Sequence, residues 1–298
     1  MTITAQTSSG IINALSFDID DLGYSMKMKN GVGFSSEFLV EKETFSLLEL
    51  LNDLQLKATM FIPGYVAEHF PGLIGAIAAA GHDIGSHGYR HIIAERLQRK
   101  RFRSDVAMSK KKLEDIISKE VCAYRSPSWG ITARTHWAYD ELIEAGYSID
   151  NTAQPLLLKH LGRSPTDMTP FRYKDMLTVI PVTSFRLFKN AIPFNGGLFC
   201  AYIPMHAQIK YYKNLNKRGI PFNYFCHPYE SNPEGANRYI WKCHSLAATF
   251  YGMYFGKYRN YIIKLASHFK LGSLKEAYGR FTGTRGDNQL SSLSNVSL

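Results

Sequence analysis

Seven alternations of short apolar runs with amphipathic helical stretches predict an α/β fold, a parallel sheet either closed into a barrel or doubly wound. Two observations accompany that periodicity. The chain has 298 residues, 45% hydrophobic and 20% charged, enough for one large core or two small ones. Acids, histidines and arginines cluster just after five of the apolar runs, the positions where a parallel barrel collects its chemistry.

The elements follow in order. "IINALSF" (11–17) reads as the first strand, and "EKETFSLLELLNDLQL" (41–56) as a helix with Phe45, Leu48, Leu51 and Leu54 on one side. "ATMFI" (58–62) is the next strand. "PGLIGAIAAAG" (71–81) opens at a proline and closes at Gly81, as helix boundaries prefer, and "HDIGSH" (82–87) is strand three. "SDVAMSKKKLEDIISK" (104–119) reads as a helix capped by Ser104, leading into strand "VCAYR" (121–125). "TARTHWAYDELIEAG" (132–146) then feeds "YSID" (147–150). The last pieces are strand "MLTVIPV" (176–182), helix "PMHAQIKYYKNLNKRG" (204–219) and strand "PFNYFCH" (221–227). Segments 151–175 and 183–203 read as irregular loops with a local role, and "NGGLF" (195–199) as a flexible turn or a shaper of the site. The aromatic and basic stretch 231–280 predicts helices packed on the outside of the barrel, and the ends, 1–10 and 281–298, read as loose termini.

Composition narrows the class. No stretch reaches the ~18 continuous apolar residues of a spanning helix, and no basic-then-apolar leader is visible, which predicts a cytoplasmic protein. Cys122, Cys200, Cys226 and Cys243 show no C-x-x-C spacing, so buried reduced thiols are expected. Much of the net charge of +10 lies in "ERLQRKRFRSDVAMSKKKLED" (95–115), which suits an anionic membrane face, a phosphate-bearing sugar or, more simply, a solvated helix face. No nucleic-acid module accompanies it, so nucleic acid is not an expected partner.

The strand ends carry "FDIDD" (17–21), "SHGYRH" (86–91), "YRSPSWG" (124–130), "IDNT" (149–152) and "CHPYE" (226–230). His87 and His91, four apart, can share a helical turn and ligate a divalent cation, with a carboxylate from the first strand as third ligand. The metalloprotease pattern fails, because position 88 is Gly and no glutamate stands between the histidines.

Taken together, in this order over residues 11–230, these motifs resemble the NodB-like polysaccharide deacetylases of carbohydrate esterase family 4, most closely the kind found in exopolysaccharide and surface-glycan loci. The resemblance implies a deformed (β/α) barrel of about seven parallel strands, binding Zn²⁺ (or Co²⁺ or Ni²⁺) and hydrolysing the N-acetyl group of an amino sugar. It matches Asp18 to the base that deprotonates the attacking water, and Asp20, His87 and His91 to the metal ligands. Arg125 would keep Asp18 ionised. The backbone N–H near Ser128 would bind the oxyanion, and His227 would protonate the departing amine. Ile19 interrupts the family's adjacent aspartates, leaving Asp21 as an alternate ligand. "IDNT" replaces the family's Asp-Trp pair, with Asp150 placed to orient His227. Trp129 and Tyr229 are candidates for stacking on sugar rings. The implied substrate is an acetamido sugar, nucleotide-linked, lipid-linked or polymeric; the basic surface of 95–115 is, separately, a candidate for peripheral contact with the inner membrane face. Hydrolysis of another C–N bond, in a cyclic ureide or formamide, and an inactive glycan-binding barrel are the competing readings.

Overall fold

The central feature is a curled sheet, seen in a computed structural model that describes residues 10–21, 39–187, 190–196, 200, 203–231 and 255–282. The expectations for residues 1–9 and 283–298, for Cys243 and for positions 232–254 of the extension lie outside the described residues. In chain order the elements are β1 (Ile12–Asp18), α1 (Val40–Asp53), β2 (Thr59–Ile62), α2 (Gly64–His69), α3 (Pro71–Ala79), β3 (Asp83–Ser86) and α4 (Arg99–Ile117). β4 (Ala123–Tyr124), α5 (Ala138–Glu144), β5 (Ile149–Asp150), α6 (Pro155–His160), β6 (Phe171–Tyr173) and β7 (Leu177–Val179) follow. The chain continues through β8 (Ser184–Leu187), β9 (Asn190–Pro193), α7 (Met205–Lys217), β10 (Asn223–Cys226) and α8 (Pro228–Ser231). It ends with α9 (Lys257–His268), β11 (Lys270–Gly272) and α10 (Leu274–Thr282).

The sheet runs β10-β1-β2-β3-β4-β5-β7-β6, with β11 also on β1. Every pairing from β10 to β7 is parallel, and β6 turns back antiparallel on β7. This is the deformed barrel the resemblance implies. Its deformation has a visible cause. Between β7 and β10 the Thr183 hydroxyl stands in for a strand ladder, accepting the Asn223 N–H at 2.7 Å and lying 3.2 Å from the Asn223 carbonyl. Above it, Gly196 makes a lone parallel bridge to Phe225.

Alternation along β1 explains how the site is positioned. Leu15 and Phe17 face the helices in the main core, whereas Ala14, Ser16 and Asp18 point to the barrel interior. Ala14 joins Phe61, Ile149, Ile180, Leu274 and Tyr278 in an apolar plug, and the layer above it, from Ser16 upward, is polar. The C-terminal segment builds part of this plug: β11 pairs with the first half of β1, and the Leu274 N–H donates to Thr59 Oγ1 at 2.9 Å. The expectation of helices only on the outside is therefore corrected. Its short strand "KLG" carries no alternation long enough to read.

Other local expectations also shift. α4 begins at Arg99, so Ser104 is no cap and its hydroxyl donates back to the Lys100 carbonyl. Phe102, Val106, Ser109 and Leu113 keep a helical stripe through the charged run, while Arg99 and Arg103, one turn apart, both grip the buried Glu141 of α5. On α1 the buried stripe is Val40, Thr44, Leu47 and Leu51, and Phe45 remains 42% exposed. Segment 151–203 holds the β6–β7 and β8–β9 antiparallel pairs.

Gly196 has φ +112°, and a Cβ there would lie 1.8 Å from the Phe225 carbonyl oxygen. Only glycine fits this approach. Gly196→Ala should destabilise the fold by about 3 kcal/mol or more, combining backbone strain with overpacking. A denaturant midpoint equal to wild type would contradict that contact.

Candidate active site

The loop after β3 is built to present two imidazoles. Gly88 adopts φ +74° and His91 φ +55°, so the segment bends, and the helical turn expected for His87 and His91 is absent. Asp105 of α4 gathers the Tyr89 and Arg90 N–H groups at 2.7 and 3.2 Å, and the Gly88 carbonyl accepts from Gly64 N and Ser109 Oγ. The His87 and His91 rings end 5.0 Å apart. Asp105 is a positioning residue that periodicity had assigned only to a helix face.

His87 is buried and hydrogen-bonds through Nδ1 to the Arg125 carbonyl at 2.8 Å. A carbonyl only accepts, so Nδ1 carries the proton and Nε2 presents its lone pair to Asp18 Oδ2, 3.7 Å away. Burial lowers the His87 pKa against the pull of Asp18 and Asp20, so the ring is neutral near pH 7. With Nδ1 engaged by a backbone carbonyl, Nε2 is the nitrogen of His87 left to ligate a cation.

Asp18 is equally buried. Burial alone would raise its pKa, but the Arg125 guanidinium, 2.5 Å away, with His87 and His227, carries it below the usual carboxylate range. Arg125 also donates to Ser16 Oγ at 2.7 Å and to Asn151 Oδ1, and its guanidinium lies over the Phe61 ring at 4.0 Å. Asn151 in turn accepts from Asn223 Nδ2 at 2.7 Å. Asn151 and Asn223 support Arg125 from strands far apart in sequence, a role with no local signal.

Asp20 lies between two histidines: Oδ2 is 3.2 Å from His91 Nε2 and Oδ1 is 3.8 Å from His227 Nε2. Asp21 takes another course, its Oδ2 accepting the Leu39 N–H at the entry to α1. The acid directed at the histidines is thus Asp20. The structure brings Asp18, Asp20, His87, His91, Arg125 and His227 to one place. Among the described residues these side chains do not close a ligand set of three, since His91 meets Asp20 while His87 meets Asp18.

The role expected of Asp150 is corrected. Its carboxylate accepts the Thr152 N–H and hydroxyl at 2.9 and 2.6 Å, and burial pushes its pKa up to about 7 despite those bonds. It does not meet His227. Glu230 does: Oε2 accepts the His227 backbone N–H at 2.9 Å, and Oε1 is 3.4 Å from Nδ1. Burial opposes charge on His227, but Asp20 and Glu230 prevail and raise its pKa to about 9. Tyr229 is corrected too. It is buried with its ring stacked on His227 at 4.7 Å, which withdraws that face from a sugar. Trp129 is half-buried and meets Phe225 edge-on at 4.9 Å. Ser128 and Trp129 hold consecutive left-handed conformations, φ +50° and +49°. The Trp129 and Gly130 N–H groups bond within this turn, while the Ser128 N–H donates to no other described residue.

Comparison with known proteins agrees with this architecture. The family model for polysaccharide deacetylase matches residues 15–147, and that for a domain of unknown function, DUF3473, matches residues 152–278. The chain is similar to the peptidoglycan deacetylase of Helicobacter pylori, with 31% identity over 114 residues, 38% of this chain and 33% of that protein. It is also similar to a peptidoglycan-N-acetylglucosamine deacetylase of Bacillus cereus, with 29% identity over 104 residues, 35% of this chain and 47% of that one. The chain thus matches between a third and a half of these relatives' lengths. A crystal structure from Mycobacterium smegmatis, assigned to the polysaccharide deacetylases, superposes with TM-score 0.55 at 17% identity, covering 97% of this chain and 99% of that one, a likeness of fold. Residues 15–147 thus match the polysaccharide deacetylase family model, and the likeness of fold extends over the rest of the described chain. The DUF3473 region completes the same body, since it contributes β10 beside β1, and with it His227 and Glu230.

Because the His227 pKa rises from 6.5 to about 9 on folding, the folded state holds a proton that the unfolded chain releases. The resulting stabilisation is complete below about pH 6.5 and is lost as the pH climbs through about 9. The Tm of the metal-free protein should therefore carry a falling component over that interval, and His227→Gln should flatten it. A slope unchanged in the variant would refute the charged His227.

Proposed function

We propose that this chain is a metal-dependent hydrolase that removes the N-acetyl group from an amino sugar of a glycan or glycan precursor. One observation carries the reading: a carboxylate held ionised and an imidazole held protonated flank the same space. Asp18 is pushed down by Arg125, and His227 is pushed up to about 9 by Asp20 and Glu230. Paired groups with pKa values driven apart are the mark of a base and an acid acting at neutral pH. The family match and the names of the peptidoglycan deacetylase relatives support the substrate class.

Asp20, His87 and His91 would hold the cation, for which zinc suits the mixed imidazole and carboxylate donors. When bound, such an ion supplies Lewis acidity toward the acetyl carbonyl oxygen and lowers the pKa of water. The chain's own groups do the proton work. Asp18 takes a proton from the water that attacks the carbonyl carbon. His227 gives a proton to the amide nitrogen as the C–N bond breaks, releasing acetate and a free amine. Arg125 keeps Asp18 ionised and fixes its position through a charge-assisted bond. The Ser128 N–H would stabilise the oxyanion, and Trp129 would border the sugar.

Purified protein loaded with zinc should release acetate from N-acetylglucosamine oligomers, lipid-linked acetamido sugars or nucleotide-linked ones. Asp18→Asn should reduce the rate by roughly 10²-fold or more, the contribution expected of a positioned base. Undiminished release by that variant would sink the base assignment. Hydrolysis of a cyclic ureide or formamide, with no acetate from any sugar, would favour the other C–N chemistry. A chain that takes up no divalent ion on dialysis, measured by elemental analysis, would favour the binding barrel.

The buried Arg125 gives a separate test. Arg125→Met leaves Asp18 in the interior without its cation and should cost about 3–5 kcal/mol in denaturant unfolding, the range for breaking a buried ion pair.

A further inference from the structure

We infer that Glu230 is the residue that orients His227 for proton delivery, and that Phe255 and Gly256 help to hold Glu230 in place. This rests on the reading of His227 as the acid. Glu230 is fully buried, and among the described residues its carboxylate meets no lysine or arginine, His227 being its ion-pair partner. A buried carboxylate so placed is costly unless it is hydrogen-bonded and matched by positive charge. Both conditions are met by one residue, through the backbone N–H at Oε2 and the ring at Oε1. The backbone contact anchors Glu230 beside His227, and the ring lies with Nδ1 3.4 Å from Glu230 Oε1 and Nε2 3.8 Å from Asp20 Oδ1. On the reading of His227 as the acid, Nε2, on the side of Asp20, is the nitrogen that would deliver the proton.

The support continues outward. The Glu230 carbonyl accepts the Gly256 N–H at 2.8 Å, and Phe255, itself buried, packs at 5.7 Å on the Tyr229 ring that stacks on His227. Tyr258 of α9 is buried near the Glu230 charge. The region of unknown function thus acts on the reaction through the acid it braces.

The discriminating experiment varies the leaving group. An amide nitrogen must be protonated to depart, whereas an aryl oxide departs without an acid. Glu230→Gln keeps the side-chain volume and an acceptor for the His227 N–H, but presents no charge to Nδ1. On N-acetylglucosamine oligomers it should lower kcat by roughly 10²-fold, in the range of a positioned acid, with KM within about twofold of wild type. On an aryl acetate ester, both Glu230→Gln and His227→Gln should lose at least tenfold less of the wild-type rate than they lose on the amide. If Glu230→Gln loses ester and amide hydrolysis alike, or retains full amide hydrolysis while His227→Gln loses it, Glu230 is not the orienting group. If His227→Gln keeps amide hydrolysis, the acid assignment itself falls, and this inference with it. Imidazole ¹⁵N NMR of the wild-type protein gives a readout free of turnover: Nδ1 should retain its proton at alkaline pH, and an Nε2–H tautomer would overturn the proposal.

Discussion

A guanidinium buried at the centre of the barrel is the constraint on which the rest depends. Arg125 is 1% exposed, and such a cation is tolerated only when its donors are met and its charge is balanced. Asp18 supplies the balance, Ser16 and Asn151 supply acceptors, and the Phe61 ring covers one face. These partners come from β1, the end of β5 and β2, so the charge fixes how far apart those strands sit. The Arg125 carbonyl also sets the His87 tautomer. One residue thereby biases the ionisation of Asp18 and sets the lone-pair direction of the His87 imidazole.

The polar layer around Arg125 separates an apolar plug from a chemical surface. Below it, Ala14, Ile149, Ile180, Leu274 and Tyr278 close the barrel floor. Above it, acids and imidazoles stand in an interior where charges are weakly screened and each responds strongly to its neighbours. Asp18 and His227 share this space yet are driven to opposite ionisation, because one sits against a guanidinium and the other against two carboxylates. The site is assembled by both halves of the chain. β1, β3 and β4 carry Asp18, the His87 loop and Arg125, whereas β10, which pairs with β1, leads into His227 and Glu230.

The parallel α/β architecture was readable because strand and helix periods are local properties. β1 is a short, largely apolar run buried along almost its whole length, and α3 is bounded in sequence by Pro71 and Gly81. The strand-end rule then singled out "FDIDD", "SHGYRH", "YRSPSWG" and "CHPYE" without any contact information. What stayed hidden had a shared cause. β11 is three residues long, Thr183 replaces a ladder by a side chain, and His91 reaches its place through a positive φ, so none leaves a periodic trace.

Which partner each acid meets was decided by the tertiary structure alone. Asp20 and Asp21 are adjacent, but the Leu39 N–H lies beside one and the imidazoles beside the other. Asp150 sits at a strand end where an orienting acid was expected, yet Thr152 satisfies it, and Glu230, three residues after His227, takes that position. The amino-acid sequence by itself determined the fold class and which strand ends carry ionisable groups, because hydrophobic periodicity encodes both. The direction and charge of each group awaited the folded chain, because they depend on partners as distant as Arg125 is from Asp18, 107 positions along the sequence.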